Sequence, residues 1–352
     1  MKIIFRLAVC TLTLLLLFCL FSCGEKKEKF TTYSFEYFDT VTSITGYESD
    51  RGDFDAVTAE IFVELSEYHR LFDIYKRYDG LENLCSINEL KNGAHRVVQV
   101  DSRIIDMLLY SIEMYEKTGG EVNVAMGSVL RVWHQYRSEG MDDPASATLP
   151  PMDMLNEAAA HTDIKDLIID KEAGTVFLSD PQMSLDVGAI AKGYAVEMVA
   201  QMLLEKGISG YVINVGGNVR TVGLRADGSP WKVGVENPLD DGDEPYFAYL
   251  EISDMSLVTS GSYQRYYTVE GKRYHHIIDK DTLMPSEGYL SVAVLCESSA
   301  MGDAFSTALF CMTPEEGRAL AEATEGLEVM WVTQNGERLY TDGFLELSPK
   351  EK

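Results

Sequence analysis

Ser184-Leu-Asp-Val-Gly-Ala-Ile-Ala-Lys-Gly-Tyr-Ala-Val-Glu197 is an acid followed by small residues and then a lysine, at a loop-to-helix junction. Ala189 to Lys206 reads as one helix from its apolar spacing. Small side chains let the backbone approach a ligand closely, and a helix N-terminus favours phosphate. Lys192 adds a positive charge. Tight helix packing uses the same residues, so the stretch alone does not choose between the two. The next apolar run, Tyr211 to Val215, is short enough for a buried strand, and helix followed directly by strand sets the pattern for the rest.

Working outward, Phe35 to Tyr47 has strand character. Asp55 to Phe72 and Ser102 to Thr118 carry apolar residues at helical spacing, and Gly119-Gly120 stops the second helix. Ile164 to Asp170 and Thr175 to Leu178 form a hairpin pair, and Met141 to Pro151 is a Pro/Ser/Asp-rich loop. Toward the C-terminus, Trp231 to Val235, Phe247 to Ile252, Leu257 to Thr259, Tyr266 to Val269, Tyr289 to Cys296 and Glu328 to Thr333 read as strands. Met301 to Met312 and Pro314 to Thr324 read as helices. There is no internal repeat and no clear linker. The expectation is a single interwoven α+β domain over 35–348.

Three more segments carry possible chemistry. In Tyr211-Val-Ile-Asn-Val-Gly-Gly-Asn-Val-Arg220 a strand runs into Gly216-Gly217-Asn218, either a plain turn or a backbone surface for a ligand. Thr259-Ser-Gly-Ser-Tyr-Gln-Arg265 is followed by Lys272-Arg-Tyr-His-His-Ile-Ile-Asp279, where two of six histidines adjoin. Neighbouring strand residues face opposite ways, so only one of His275 and His276 faces a given site. His with Asp279 suits an acid/base or orienting pair, and an aromatic edge strand with solvated histidines fits the same residues. In Ala300-Met-Gly-Asp-Ala-Phe-Ser-Thr-Ala-Leu-Phe310, Asp303 and Thr307 share one helix face. Carboxylate, hydroxyl and the Ser306 carbonyl are hard oxygen donors suited to Mg²⁺, which completes its shell with substrate phosphates. A capped, partly exposed Asp303 is the alternative.

Among 352 residues, 46% are hydrophobic and 24% charged, which excludes a disordered chain. Lys2 and Arg6 precede an apolar stretch through Phe21 broken only by Thr11 and Thr13, the layout of a secretory signal. It ends in Leu20-Phe21-Ser22-Cys23-Gly24, which resembles the bacterial lipobox; an uncleaved anchor is the other reading. The expectation is a lipoprotein signal peptide over 1–22, a lipidated Cys23 with a tether over 23–34, and a body outside the cytoplasm on a cell-envelope membrane, at the periplasmic face of the inner membrane in a Gram-negative host. The formal net charge is −26, and the leader carries two bases and no acid, so cleavage leaves −28. Such a surface repels nucleic acid. Binding a diphosphate then needs a cation or backbone N–H groups. Six cysteines fall to three, Cys85, Cys296 and Cys311, without a CxxC, which argues against a disulfide framework or zinc.

Taken in order, the four segments resemble the ApbE family, the FAD:protein FMN transferases, over roughly Phe35 to Asp342. Phe72-Asp-Ile-Tyr through Leu84-Cys-Ser-Ile-Asn88 and Thr118-Gly-Gly-Glu-Val-Asn123 fit the same family. The resemblance implies a thiamine-biosynthesis-like, T-fold-related architecture. It implies that Asp186 and Lys192 contact FAD, and that Phe38, Tyr75, Glu121, Val122, Asn123 and Ile277 line the flavin pocket. It implies Mg²⁺ on Asp303, Thr307 and the backbone of Ala189 and Ser306, with His276 as the catalytic histidine and Asp279 following it. Asn123, Phe38 and Lys280-Asp281 depart from the family pattern around the flavin, not around the metal.

The implied reaction is attack by a Ser or Thr hydroxyl of an acceptor flavoprotein on the FMN-side phosphorus of FAD, leaving phosphoester-linked FMN and AMP. Acceptors implied by the resemblance include subunits of redox-driven ion pumps. Two alternatives stand beside it: hydrolysis of FAD to FMN and AMP by water in the same site, and a non-catalytic flavin-binding lipoprotein.

Overall fold

The computed structural model describes residues 26–90, 93–239 and 245–347. The leader and Cys23 lie outside these. In chain order come β1 Glu28–Ser34, β2 Thr42–Glu48, α1 Arg51–Phe72, α2 Leu84–Asn88, β3 Val98–Gln99, α3 Ser102–Lys117, α4 Gly127–Asp142 and α5 Met152–Ala159. Then follow β4 Leu167–Asp170, β5 Thr175–Leu178, α6 Ala191–Glu205, β6 Tyr211–Val215, β7 Asn218–Val222, β8 Trp231–Glu236 and β9 Tyr246–Ile252. The chain closes with β10 Ser256–Gly261, β11 Tyr266–Val269, β12 Lys272–His275, β13 Tyr289–Cys296, α7 Ser299–Cys311, α8 Pro314–Ala323, β14 Glu328–Thr333 and β15 Arg338–Tyr340.

The core is an eight-stranded sheet in the order β1-β2-β6-β7-β10-β13-β14-β15, antiparallel at every pairing. Strand alternation sorts its residues between two cores. Val292, Val294 and Cys296 of β13 face the helical layer, while Ala293 and Leu295 face the β8–β9 hairpin. Both faces are covered, which is why Val292 to Cys296 of β13 reads as an unbroken apolar run.

Helices α1, α6 and α7 form the layer on one face. Asp50 caps α1 by accepting from the Asp53 N–H, which sets its start four residues before the periodic stripe begins at Asp55. The α6–α7 contact is made by small residues: a Cβ on Gly193 would sit 2.3 Å from the Ser299 carbonyl oxygen. A third, smaller core joins α4, α5 and the β11–β12 hairpin around Trp133, whose Nε1 donates to the Leu283 carbonyl at 2.9 Å. It forms the far wall of the cavity described below.

Two expectations are corrected. Glu28–Ser34, expected within the tether over 23–34, is an edge strand paired with β2; its Thr31 and Thr32 suit a strand, but Lys and Glu masked the pattern. The strand placed over 35–47 begins only at Thr42. Before it the chain turns sharply, with Phe38 and Asp39 both at positive φ, 54° and 50°.

Candidate active site

A cavity of about 520 Å³ opens where the start of α6, the middle of α7, the end of β10, the Phe38–Thr40 turn and the α4 layer converge. It is lined by Phe38, Tyr75, Glu121, Val122, Asn123, Asp186, Ala189, Lys192, His276, Ile277, Asp303 and Thr307. Residues up to 269 apart in sequence thus meet on one surface, Phe38 with Thr307.

One corner is built by α6 and α7. Asp303 is 3% exposed, and a buried carboxyl group needs hydrogen-bond partners. The Gly193 N–H donates to its Oδ2 at 2.8 Å, and the Lys192 ammonium lies 3.3 Å from Oδ1 and 3.4 Å from Oδ2. Lys192 Nζ also donates to the Gly188 carbonyl at 3.3 Å. Thr307 Oγ donates to the Asp303 carbonyl at 3.2 Å, one turn back along α7. Ser306 is fully buried and lies behind the cavity wall, its hydroxyl 2.9 Å from that of Ser260. Asp186 folds its Oδ1 onto the Gly188 N–H at 2.8 Å, fixing the loop that carries Ala189. Burial raises the Asp186 carboxyl above its usual range, opposed by that N–H and by the charges of His134, Arg137 and Arg265.

The two histidines separate cleanly. His275 is buried, with Nε2 2.7 Å from the Ser286 carbonyl and Nδ1 accepting from the Ile277 N–H at 3.2 Å, so its ring is consumed by the local fold. His276 has Nδ1 3.3 Å from the Arg265 carbonyl. A carbonyl only accepts, so Nδ1 carries the proton and Nε2 is left with a lone pair. Burial, then the charges of Arg265 and Arg137, push the His276 imidazole down to about 3. It is a neutral acceptor across the physiological range.

The pairing of His276 with Asp279 is corrected. The Asp279 carboxylate accepts from the Asp281 and Thr282 N–H groups at 3.0 and 2.7 Å and does not line the cavity. In an extended segment, residues three apart point to opposite faces, so adjacency in sequence did not bring them together. The orienting partner of His276 is the Arg265 backbone.

The opposite wall is apolar and aromatic. Tyr75 packs against His134 at 5.0 Å with the rings tilted by 31°, and Phe38 sets its edge against His69 at 5.5 Å. Glu121 pairs with Lys280 at 3.2 Å, so the Lys280 departure from the family pattern neutralises an acid at the cavity wall. Asn123 spends its side chain on the loop, donating to the Thr162 carbonyl at 2.9 Å and accepting from the Ala125 N–H at 2.9 Å. Sequence reasoning missed His134 and Arg137 on α4 and the use of the Arg265 side chain. Arg265 stood inside a quoted segment, but α4 carried no motif, and only the fold turns it toward the site.

Comparison with known proteins gives a consistent result. A model of the ApbE family matches residues 38–331. An FAD:protein FMN transferase of Klebsiella pneumoniae (strain 342) is 31% identical over 273 residues, 76% of this chain and 82% of that one. An FAD:protein FMN transferase of Vibrio cholerae serotype O1 is 32% identical over 248 residues, 70% of each chain. The crystal structure of the ApbE protein from Thermotoga maritima matches with a TM-score of 0.79 at 25% identity, covering 92% of this chain and 100% of that one. The flavin transferase ApbE from Vibrio cholerae matches with a TM-score of 0.74 at 26% identity, covering 91% and 99%.

Proposed function

The chain belongs to the ApbE family and is a flavin transferase, and from that premise we propose that it moves the FMN half of FAD, with Mg²⁺, onto a Ser or Thr hydroxyl of an acceptor flavoprotein. The observation that carries the reading is the convergence, in one cavity, of a neutral histidine with a free acceptor nitrogen and a buried carboxylate already paired with a cation.

The metal reading rests on the donor set. The Asp303 carboxylate, the Thr307 hydroxyl and the backbone carbonyls of Ala189 and Ser306 are all oxygen, as Mg²⁺ requires. The ammonium of Lys192 beside Asp303 marks this corner as one that favours positive charge. Mg²⁺ held here would draw charge from the diphosphate and make the phosphorus more electrophilic. Lys192 adds a second cation, which matters in a chain of net charge −26.

FAD enters with its isoalloxazine against Phe38, Tyr75, Val122 and Ile277 and its diphosphate toward Lys192, with Asp186 also in contact with FAD. The acceptor hydroxyl attacks the FMN-side phosphorus. Its proton goes to Nε2 of His276, held by the Arg265 carbonyl, and AMP leaves with the bridging oxygen. Most of the catalysis is positioning and charge neutralisation. Acceptors of this class include Ser/Thr-bearing subunits of redox-driven ion pumps. The charged leader and the Ser22-Cys23 junction support a lipid anchor at Cys23 that holds the domain on the extracytoplasmic face of a membrane, with Gly24 to Lys27 between lipid and domain.

The test is to incubate the protein with FAD, Mg²⁺ and a candidate acceptor, denature, and read flavin fluorescence on the acceptor band. Transfer that is present in the native chain and lost in Asp303→Ala supports the reading. Release of free FMN with no labelled acceptor would replace transfer by hydrolysis.

A further inference from the structure

The cavity holds two arginines whose guanidinium groups no part of the reading above uses. Arg137 comes from α4 and Arg265 from the loop between β10 and β11, and both line the cavity with Lys192 and His276. Among the described residues neither forms a salt bridge, although the chain has 56 acids against 30 bases and carboxylates are plentiful. They are held by neutral acceptors instead. Arg137 Nη2 lies 3.0 Å from Nδ1 of His134, and Arg265 Nη2 donates to the carbonyls of Phe38 and Asp39 at 3.4 and 3.2 Å.

This arrangement has a cost. Burial and the neighbouring Arg265 both lower the Arg137 guanidinium, and both arginines depress His276. Asp186 acts on Arg137 from within the cavity, but with no salt bridge to either arginine the like charges still destabilise the empty site. The compensation is that the donors are aimed and their charge is unspent, as preorganised stabilisation of a developing anion requires. His134 contributes by remaining a neutral acceptor: burial and Arg137 both push its imidazole down. Arg265 is held against the left-handed Phe38–Asp39 turn, so its position is tied to a fixed backbone.

We propose that Arg137 and Arg265 form a guanidinium clamp for the phosphate of the departing AMP. The proposal rests on the transfer reading. In that reaction the bond from the acceptor oxygen to the FMN phosphorus forms, and the bond from that phosphorus to the bridging oxygen breaks. The acceptor proton passes to His276, and the electron pair of the broken bond stays on the AMP oxygen. The AMP phosphate therefore goes from one negative charge to two as it leaves. Lys192, with the metal proposed at Asp303, would serve the phosphorus under attack. The new charge appears on the other phosphate, and two guanidiniums with paired N–H donors match it.

AMP and adenosine are the probes, because they differ only in the phosphate. In the native chain AMP inhibits transfer and competes with FAD far better than adenosine does. In Arg137→Gln and Arg265→Gln, inhibition by AMP weakens roughly ten- to hundredfold, as expected for a lost charge-assisted hydrogen bond, while inhibition by adenosine is unchanged. The kcat for transfer falls more than the KM for FAD rises. Arg137→Lys and Arg265→Lys recover part of the AMP inhibition by restoring charge without the fork. Unchanged adenosine inhibition also reports that each variant is folded. Equal AMP inhibition in native and variant proteins overturns the clamp even if kcat drops. A native chain that binds FAD but is insensitive to AMP overturns it too. A native chain that neither binds FAD nor transfers FMN defeats instead the function from which the clamp was argued.

Discussion

Gly193 and Asp303 are in direct contact: the glycine N–H donates to Asp303 Oδ2 at 2.8 Å, and a Cβ on Gly193 would lie 2.4 Å from the Asp303 Cβ. Both the packing of α6 on α7 and the placement of the Asp303 carboxylate depend on this residue having no side chain. Gly193→Ala is expected to force the helices apart, costing about 1–3 kcal/mol as other overpacked substitutions do. Transfer should fall further than stability, because the N–H that holds the carboxylate moves with the helix. Urea unfolding measures the first effect, and the Mg²⁺ concentration needed for half-maximal transfer measures the second. A variant with native Mg²⁺ dependence would show that the contact is packing alone.

His276 predicts a pH dependence of stability. Its imidazole is pushed down to about 3 in the folded chain, against about 6.5 when unfolded. Above pH 6.5 neither state binds the proton. Below it the unfolded chain does and the folded one does not, so stability falls as pH drops from about 6.5 toward 3. Buried His275, also lowered, adds in the same direction. His276→Gln should remove part of the slope and nearly all transfer, since glutamine offers no proton acceptor of comparable basicity. FAD brings negative charge and should raise the imidazole toward a useful base. Thermal melts of the native chain and of the variant, from pH 4 to 8, check the sign. Parallel curves would mean that His276 is not the source.

The strand and helix periodicities of the sequence matched the fold wherever elements were long and regular, as in α1, α3, β13 and α8. They failed where tertiary contacts decide. α4 has an apolar stripe broken by His134 and Arg137, because one side of that helix faces a polar cavity. The Phe38–Asp39 turn hides in β-prone residues because its left-handed backbone is held by Arg265 and His69 from elsewhere. The α6 and α7 residues that meet in the cavity each lay in a compact motif of the sequence. Asp279 was misassigned for the same reason: proximity in a motif is not proximity in space, and its carboxylate closes its own turn.

Removal of divalent ions should stop transfer without unfolding the protein. Asp303 retains the Lys192 ammonium and the Gly193 N–H as partners, so its burial stays compensated. EDTA is expected to reduce labelling of an acceptor to background, with recovery on adding Mg²⁺ and little change in melting temperature. FAD binding should weaken but persist, because Lys192 and the aromatic wall remain. In Lys192→Met both FAD affinity and the EDTA-resistant binding should drop. Full transfer in EDTA would remove the metal from the proposal.

Glu197 links the same two helices from below. Its Oε2 accepts from the Ser299 N–H at 2.8 Å, at the start of α7, and from Arg220 Nε at 3.2 Å on β7. The pair is almost fully buried, with side chains 5% and 6% exposed. Breaking a buried pair leaves an uncompensated charge, so Glu197→Ala should cost about 3–5 kcal/mol. Glu197→Gln keeps an acceptor for Ser299 and should cost less, yet it loosens the hold of Arg220. Since Glu197 and Lys192 share α6, and Ser299 and Asp303 share α7, tilting one helix changes the Lys192–Asp303 distance. The glutamine variant should therefore need more Mg²⁺ for transfer than its loss of stability accounts for. If Mg²⁺ dependence and stability fall in strict proportion across both variants, the pair supports the fold and does not set the geometry of the site.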